Sequence, residues 1–143
     1  MVYGILNQSG RNYCVNISES SLEWIRSAEN DYTAVIELMK LYKKPAEIIA
    51  YHCQQTIEKY LKAILVQEGQ PVPFIHDLYK LNLLCGAFLP NLSPLNELCE
   101  RLTPYGTATR YPGGSMTVDV EKMPTIIHWT EQIRDIIRSY FQL

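Results

Sequence analysis

Five polar residues share about one third of the surface of one predicted helix, and we call them the polar stripe: His52, Gln55, Glu58, Lys59 and Lys62. Lys59 and Lys62 lie about one helical turn apart and could together hold a phosphate. His52 and Gln55 could add hydrogen bonds to a base or a sugar. The alternative is an ordinary solvated face, in which Glu58 and Lys62 form an i,i+4 ion pair worth a few tenths of a kcal/mol.

Candidate residues also lie outside this helix. His76 directly precedes Asp77, and the two could form a functional histidine–carboxylate pair. Alternatively, Asp77 caps the next helix and His76 packs beside it. Arg110 could clamp a phosphate with two hydrogen bonds, or it could bridge to Asp31 or Glu58 and tie its loop to the bundle.

The chain lacks the patterns of several common sites. Gly113 and Gly114 do not belong to a GxxxxGK[ST] or GxGxxG phosphate loop. No serine sits in a nucleophile elbow, and no paired carboxylates have catalytic spacing. No two cysteines have metal-ligand spacing, so we predict reduced, buried thiols, no metal and no cofactor. The four cysteines are Cys14, Cys53, Cys85 and Cys99.

Length and charge narrow the class of protein. The 143 residues suit one domain, and a net charge of −2 argues against affinity that comes mainly from covering a phosphate backbone. No apolar run approaches the roughly 18 residues of a membrane-spanning helix. The first ten residues have neither the basic nor the apolar region of a signal peptide. We therefore expect a cytoplasmic protein.

The two longest predicted helices contain the candidate residues of the first half of the chain. Ser20 and Glu23 have the spacing of a capping box, so the first helix is predicted to begin near Ser20. It should end near residues 42–44, because Pro45 restricts the residue before it. Pro45 suits the first position of a second helix, which runs to about Glu68.

The second half of the sequence predicts two shorter helices and one long helix. Asp77 can cap a third helix, and Ser93 marks the start of a fourth. Residues 104–120 read as a long irregular segment, and a last helix begins near Met123. Several tyrosines have core-like helical spacing and are predicted to be packing and interface residues: Tyr32, Tyr42, Tyr51, Tyr60 and Tyr140.

Only the N-terminal segment could be extended, since no other part of the chain alternates convincingly with period two. The prediction is an all-α, up-and-down antiparallel bundle of four to five helices. It comprises a bundle domain at residues 20–143 and an N-terminal arm at residues 1–19, either extended or frayed.

Four segments, in this order along the chain, resemble one known family. Residues 28–32 contain A-x-x-D, residues 51–63 form a signature helix, and His76 opens an H-D-L-x-x-L motif. Tyr105 is followed by R-Y-P at residues 110–112. Together they resemble the HEPN family, the higher eukaryotes and prokaryotes nucleotide-binding domain, over about residues 20–141.

The resemblance implies a small prokaryotic helical bundle, usually a homodimer. Such proteins are often encoded beside a minimal nucleotidyltransferase, and these pairs include toxin–antitoxin systems. Some members bind a nucleotide such as ATP or GTP or present a substrate, and others cleave RNA. The candidate nucleotide-binding residues are then Asp31, His52, Gln55, Glu58, Lys59, Lys62, His76, Asp77, Tyr105, Arg110 and Tyr111.

One departure from the family concerns catalysis. Ribonuclease members carry an R-x4-6-H motif, in which arginine holds the scissile phosphate and histidine assists proton transfer. None of the six arginines here is followed by histidine within seven residues. We therefore predict a binding protein. The alternatives are a divergent ribonuclease that pairs Arg110 with His52 or His76, and a purely structural dimerisation module.

Overall fold

The computed structural model describes residues 2–6, 12–108, 112–113 and 116–143. Within these ranges the chain forms an all-α helical bundle with a small N-terminal hairpin, which confirms the predicted fold class. The helices are α1 (Glu19–Leu38), α2 (Ala46–Gln67), α3 (Leu78–Gly86), α4 (Asn96–Leu102) and α5 (Met123–Phe141). Short 3-10 turns lie at Pro90–Leu95, Thr103–Gly106 and Val120–Lys122.

The N-terminal segment is extended. Strands β1 (Val2–Leu6) and β2 (Asn12–Asn16) pair antiparallel along their whole length. Gln67, at the end of α2, joins β2 to the bundle: its Oε1 accepts from Ser18 N at 3.0 Å and its Nε2 donates to Asn16 O at 3.0 Å. A two-stranded sheet is marginally stable alone, and these two hydrogen bonds tie the end of β2 to the bundle.

Helix α1 begins earlier than the capping box predicted. Ser18 has an extended backbone, and its hydroxyl accepts from Ser21 N at 3.1 Å, so Ser18 is the N-cap. Ser20 therefore lies within the first turn, and the assignment of a Ser20–Glu23 capping box was wrong. The helix also ends earlier than predicted, at Leu38.

The predicted starts of α2 and α3 are confirmed. Helix α2 begins directly after Pro45. At its far end the chain turns at Gly69, whose φ of +67° is a left-handed conformation that favours glycine. The Asp77 side chain caps α3 by accepting from Lys80 N at 3.1 Å.

Of the two remaining helices, one begins where it was predicted and the other begins later. Helix α5 begins at Met123, as predicted. Helix α4 begins at Asn96 instead of near Ser93, because residues 90–95 form a 3-10 helix. Within the described ranges, no helix is long and apolar enough to cross a membrane.

Helix α2 lies at the centre of the bundle and packs against α1, α3, α5 and the 103–106 turn. Helix α1 is antiparallel to it: Ser21, early in α1, donates to the carbonyl of Ala63, whereas Asp31 contacts His52. Fourteen of the 22 residues of α2 are buried, which leaves little of this helix in contact with solvent. Some of its polar residues must therefore be buried too.

The cysteines and the tyrosines can be compared with the burial that was predicted for them. Three cysteines are free and buried, as expected, and burial raises their pKa to about 12: Cys53, Cys85 and Cys99. Tyr60 is fully buried, but Tyr42 is fully exposed. Tyr42 does not pack in the core, because α1 has already ended when the chain reaches it. Its predicted interface role stays a prediction.

Candidate functional site

Asp31 on α1 joins two basic residues of α2, and we call these three residues the Asp31 cluster. Its Oδ1 lies 2.7 Å from His52 Nδ1, and its Oδ2 accepts a hydrogen bond from Lys59 Nζ. His52 and Lys59 are seven residues apart, about two helical turns, and so face the same neighbour. The Asp31 side chain is 11% exposed, whereas His52 and Lys59 are about one quarter exposed. The carboxylate is thus mostly covered, and the two basic groups reach the surface.

Glu58 is the centre of a second network, the Glu58 cluster. Its Oε1 accepts from Lys62 Nζ at 2.8 Å and lies 3.0 Å from His76 Nδ1. Its Oε2 accepts from Gln54 Nε2 at 3.0 Å and from Gln55 Nε2 at 3.4 Å. One carboxylate therefore organises three of the predicted site residues together with Gln54.

The Glu58 carboxylate is charged in spite of its burial. Its side chain is only 6% exposed, and burial by itself would raise its pKa. Hydrogen bonds from Lys62, Gln54 and His76, with the charge of Lys62, outweigh that effect and hold the pKa of Glu58 below its usual range. Glu58 is therefore a fixed negative charge inside the site.

Lys62 is enclosed, which separates it from Lys59. Its side chain is 7% exposed, and its ammonium lies 5.7 Å from the centre of the Trp24 ring as well as against Glu58. The interpretation of the polar stripe as an ordinary solvated face was therefore wrong for Glu58 and Lys62. Lys59 is the more accessible of the two lysines.

Gln54 was missed by the sequence analysis. It is fully buried and makes three hydrogen bonds: it donates to Glu58 and to His76 O at 3.1 Å, and it accepts from Gln55 Nε2 at 2.8 Å. The backbone of Gly106 closes over it, since a Cβ there would lie 2.6 Å from Gln54 Cδ. A glutamine beside apolar positions of an amphipathic helix was the available signal, because a buried amide needs partners.

The other predicted site residues lie in different surroundings. The His76 side chain is 67% exposed and rests on Glu58, whereas Asp77 turns to α3 as its N-cap. Tyr105 is buried in the 103–106 turn, next to the glycine that covers Gln54. Arg110 and Tyr111 lie outside the described residues.

A third network, the Glu29 cluster, involves residues that were not predicted. Arg134 on α5 donates to both carboxylate oxygens of Glu29, at 3.0 and 2.9 Å. Arg138 adds a third bond at 3.1 Å, and the Tyr60 hydroxyl donates a fourth. The Arg134 guanidinium also lies 4.0 Å from the centre of the Tyr32 ring. The cluster links α1, α2 and α5 two residues before Asp31.

Charge at Glu29 is stabilised in the same way as at Glu58. Burial would raise its pKa, but hydrogen bonds from Arg134 and Tyr60 and the two guanidinium charges hold it below the usual range. Burial and the Glu29 hydrogen bond raise the pKa of Tyr60 to about 12. In the part of the chain that the structure describes, no group of three His, Cys, Asp or Glu residues is placed to hold a metal ion.

Comparisons with known proteins agree on the fold. The family model described as HEPN domain matches residues 21–140. The crystal structure of TT1696 from Thermus thermophilus superposes with a TM-score of 0.73 at 17% identity, over 85% of this chain and 98% of that one. At this identity the likeness concerns the fold alone. No curated protein sequence matches the chain. Because the family model covers most of the sequence, the chain belongs to the HEPN domain family.

Proposed function

We propose that this HEPN-domain protein binds a nucleotide of the ATP or GTP kind, or presents a substrate. It would act beside a minimal nucleotidyltransferase in a toxin–antitoxin-like pair. The observation that carries the proposal is the Asp31 cluster, in which one covered carboxylate fixes the partly exposed His52 and Lys59. Fixed, accessible donors bind an anion with less loss of side-chain entropy than free ones.

Each accessible residue has a role in this proposal. Lys59 contacts a phosphate, and the exposed edges of His52 and Gln55 hydrogen-bond the sugar or the base. Glu58 and Lys62 are positioning residues, because their mutual ion pair is almost entirely buried.

The loop after the 103–106 turn contributes the second phosphate ligand. Arg110, the residue that the sequence analysis selects for this role, follows Gly106 by four positions. A guanidinium can hold a phosphate with two parallel hydrogen bonds. Binding is favoured over RNA cleavage, since the sequence has no R-x4-6-H motif.

Two partner proposals accompany nucleotide binding. The chain would act as a cytoplasmic homodimer, and its partner would be the nucleotidyltransferase. Size-exclusion chromatography with light scattering tests the first, and co-purification with an adjacently encoded nucleotidyltransferase tests the second.

A thermal-unfolding scan tests nucleotide binding. Purified protein is heated with ATP, GTP, their monophosphates or a short RNA, with and without Mg²⁺. A ligand at about 100 times its Kd adds roughly 2.7 kcal/mol, which raises the Tm of a domain of this size by about 5 °C or more. The rise with ATP or GTP should disappear in Lys59→Ala and persist in Lys43→Ala, which removes an exposed lysine outside the site. If no ligand raises the Tm, the proposal is contradicted. RNA cleavage in EDTA favours the ribonuclease alternative.

A further inference from the structure

A groove separate from the three clusters lies where α4 and the 103–106 turn meet the first turns of α5. It has a volume of about 340 Å³, within the range of small-molecule sites. Its lining residues are Arg101, Tyr105, Lys122, Thr125, Ile126 and Trp129. It shares no residue with the Asp31 or Glu58 clusters, so its chemistry can be considered separately.

The inner surface of the groove suits a flat apolar group. Ile126 and Tyr105 are buried, and Trp129 is half-buried and presents an indole ring to the groove lining. Every nucleobase has a π-face, and stacking on an aromatic side chain is tolerant of base identity. An aromatic ring is therefore the part of a ligand that this surface would bind.

The rim of the groove carries hydrogen-bond donors. The Arg101 guanidinium lies 5.6 Å from the centre of the Trp129 ring and pairs with Glu97. The Lys122 ammonium and the Thr125 hydroxyl have no hydrogen-bond or ion-pair partner among the described residues. An ammonium can only donate, so the unpaired Lys122 favours an anion, and Arg101 adds a second cation whose charge Glu97 partly offsets. Helix α5 begins directly after Lys122, and the positive end of its dipole adds to the positive potential at this rim.

We propose that this groove binds a small aromatic phosphate of nucleoside monophosphate size, with its ring on Trp129 and its phosphate between Arg101 and Lys122. The inference goes beyond the proposed function, because the groove is a second site, and it rests on that function only for the class of ligand. It assigns that ligand to residues that neither the family motifs nor the polar stripe include, apart from Tyr105.

Isothermal titration calorimetry with AMP, adenosine and inorganic phosphate tests the proposal. AMP should bind, and adenosine and phosphate should each bind at least about tenfold more weakly, because each lacks one half of the recognised structure. Lys122→Ala should weaken AMP binding by about tenfold, since it removes a charged donor. Lys43→Ala removes another exposed lysine elsewhere and should leave the Kd unchanged.

Two further variants separate recognition from folding. Glu97→Gln removes the carboxylate that competes for Arg101, so it should tighten AMP binding, whereas a merely structural role would not. Trp129→Ala should weaken binding by about tenfold, and Trp129→Phe should restore most of it, because an aromatic face remains. Circular dichroism confirms that each variant is folded.

The Lys59→Ala variant distinguishes the groove from the Asp31 cluster. If AMP binding is lost in Lys122→Ala and kept in Lys59→Ala, the groove is supported as a site separate from the Asp31 cluster. If the reverse holds, the groove proposal is overturned and the proposed function stands. Absence of AMP binding to the wild-type protein overturns the groove proposal outright.

Discussion

Glu29 and Asp31 lie two residues apart on α1 and together hold four basic side chains. Glu29 forms ion pairs with Arg134 and Arg138 of α5. Asp31 contacts His52 and Lys59 of α2. One turn of α1 therefore fixes both neighbouring helices next to the candidate site. We infer that the Glu29 cluster sets where α5 lies relative to the Asp31 cluster.

Replacing Arg134 with lysine should destabilise the protein. Arg134→Lys loses one of two hydrogen bonds to Glu29 and the planar contact with Tyr32, so the free energy of unfolding should fall by about 1–2 kcal/mol. Urea denaturation measures this change. Arg26→Lys, at an exposed position of α1, is the matched control and should differ little from wild type. Equal effects of the two substitutions would show that the bidentate geometry contributes nothing.

The buried ion pair of the site should be far more sensitive than an exposed one. Lys62→Met leaves the Glu58 carboxylate buried without its cation, which should cost about 3 kcal/mol of unfolding free energy. Lys40→Met breaks the exposed pair with Glu37, which should cost at most about 0.5 kcal/mol. Chemical denaturation of both variants compares them directly. Similar losses would mean that Lys62 is not enclosed in solution.

Gly106 should not tolerate a side chain. A Cβ at this position would meet Gln54 at 2.6 Å, so Gly106→Ala must displace the amide that supports Glu58. We expect a loss of about 1–3 kcal/mol of unfolding free energy. Gly86→Ala is the control, because its Cβ would lie 3.4 Å from the nearest side-chain atom, Ser93 Oγ. The prediction fails if Gly106→Ala is as stable as Gly86→Ala.

Acid should destabilise the protein through two carboxylates. The pKa values of Glu29 and Glu58 are held below their ordinary value of 4.5 in the folded state, so the unfolded chain binds protons more readily. Their stabilisation is complete above about pH 4.5 and is lost as the pH falls through the folded pKa values. Urea midpoints measured across this window should fall less steeply in the Glu29→Gln/Glu58→Gln double variant. Glu37→Gln removes one exposed carboxylate for comparison, and parallel pH profiles for all three proteins would contradict the assignment.

Local signals in the sequence were sufficient for most of the architecture. Asp77 and Pro45 mark helix starts through rules that act within one turn. Asp77 is the N-cap that was predicted, and Pro45 lies one residue before the first helical position predicted for it. The start of α1 shows the limit of such rules. Ser18 and Ser20 are equally good capping residues, and the choice depends on where the chain leaves β2.

The sequence predicted which residue types form the site, but it could not predict which of their side chains are buried. Helical spacing grouped His52 with Lys59, but nothing local shows that the Trp24 ring lies over Lys62 or that Gly106 covers Gln54. The Glu29 cluster could not be predicted, because its arginines lie more than 100 residues away in the chain. Such contacts arise only when the packing of the helices is fixed.

The central claim is that nucleotide binds at the Asp31 and Glu58 clusters, and histidine NMR tests it most directly. The chain has three histidines: His52 and His76 are in these clusters, and His128 is exposed on α5. Titration with ATP or GTP should shift the ring resonances of His52 and His76, and both shifts should be absent in Lys59→Ala. If both rings are unmoved by saturating nucleotide in the wild-type protein, the claim is wrong.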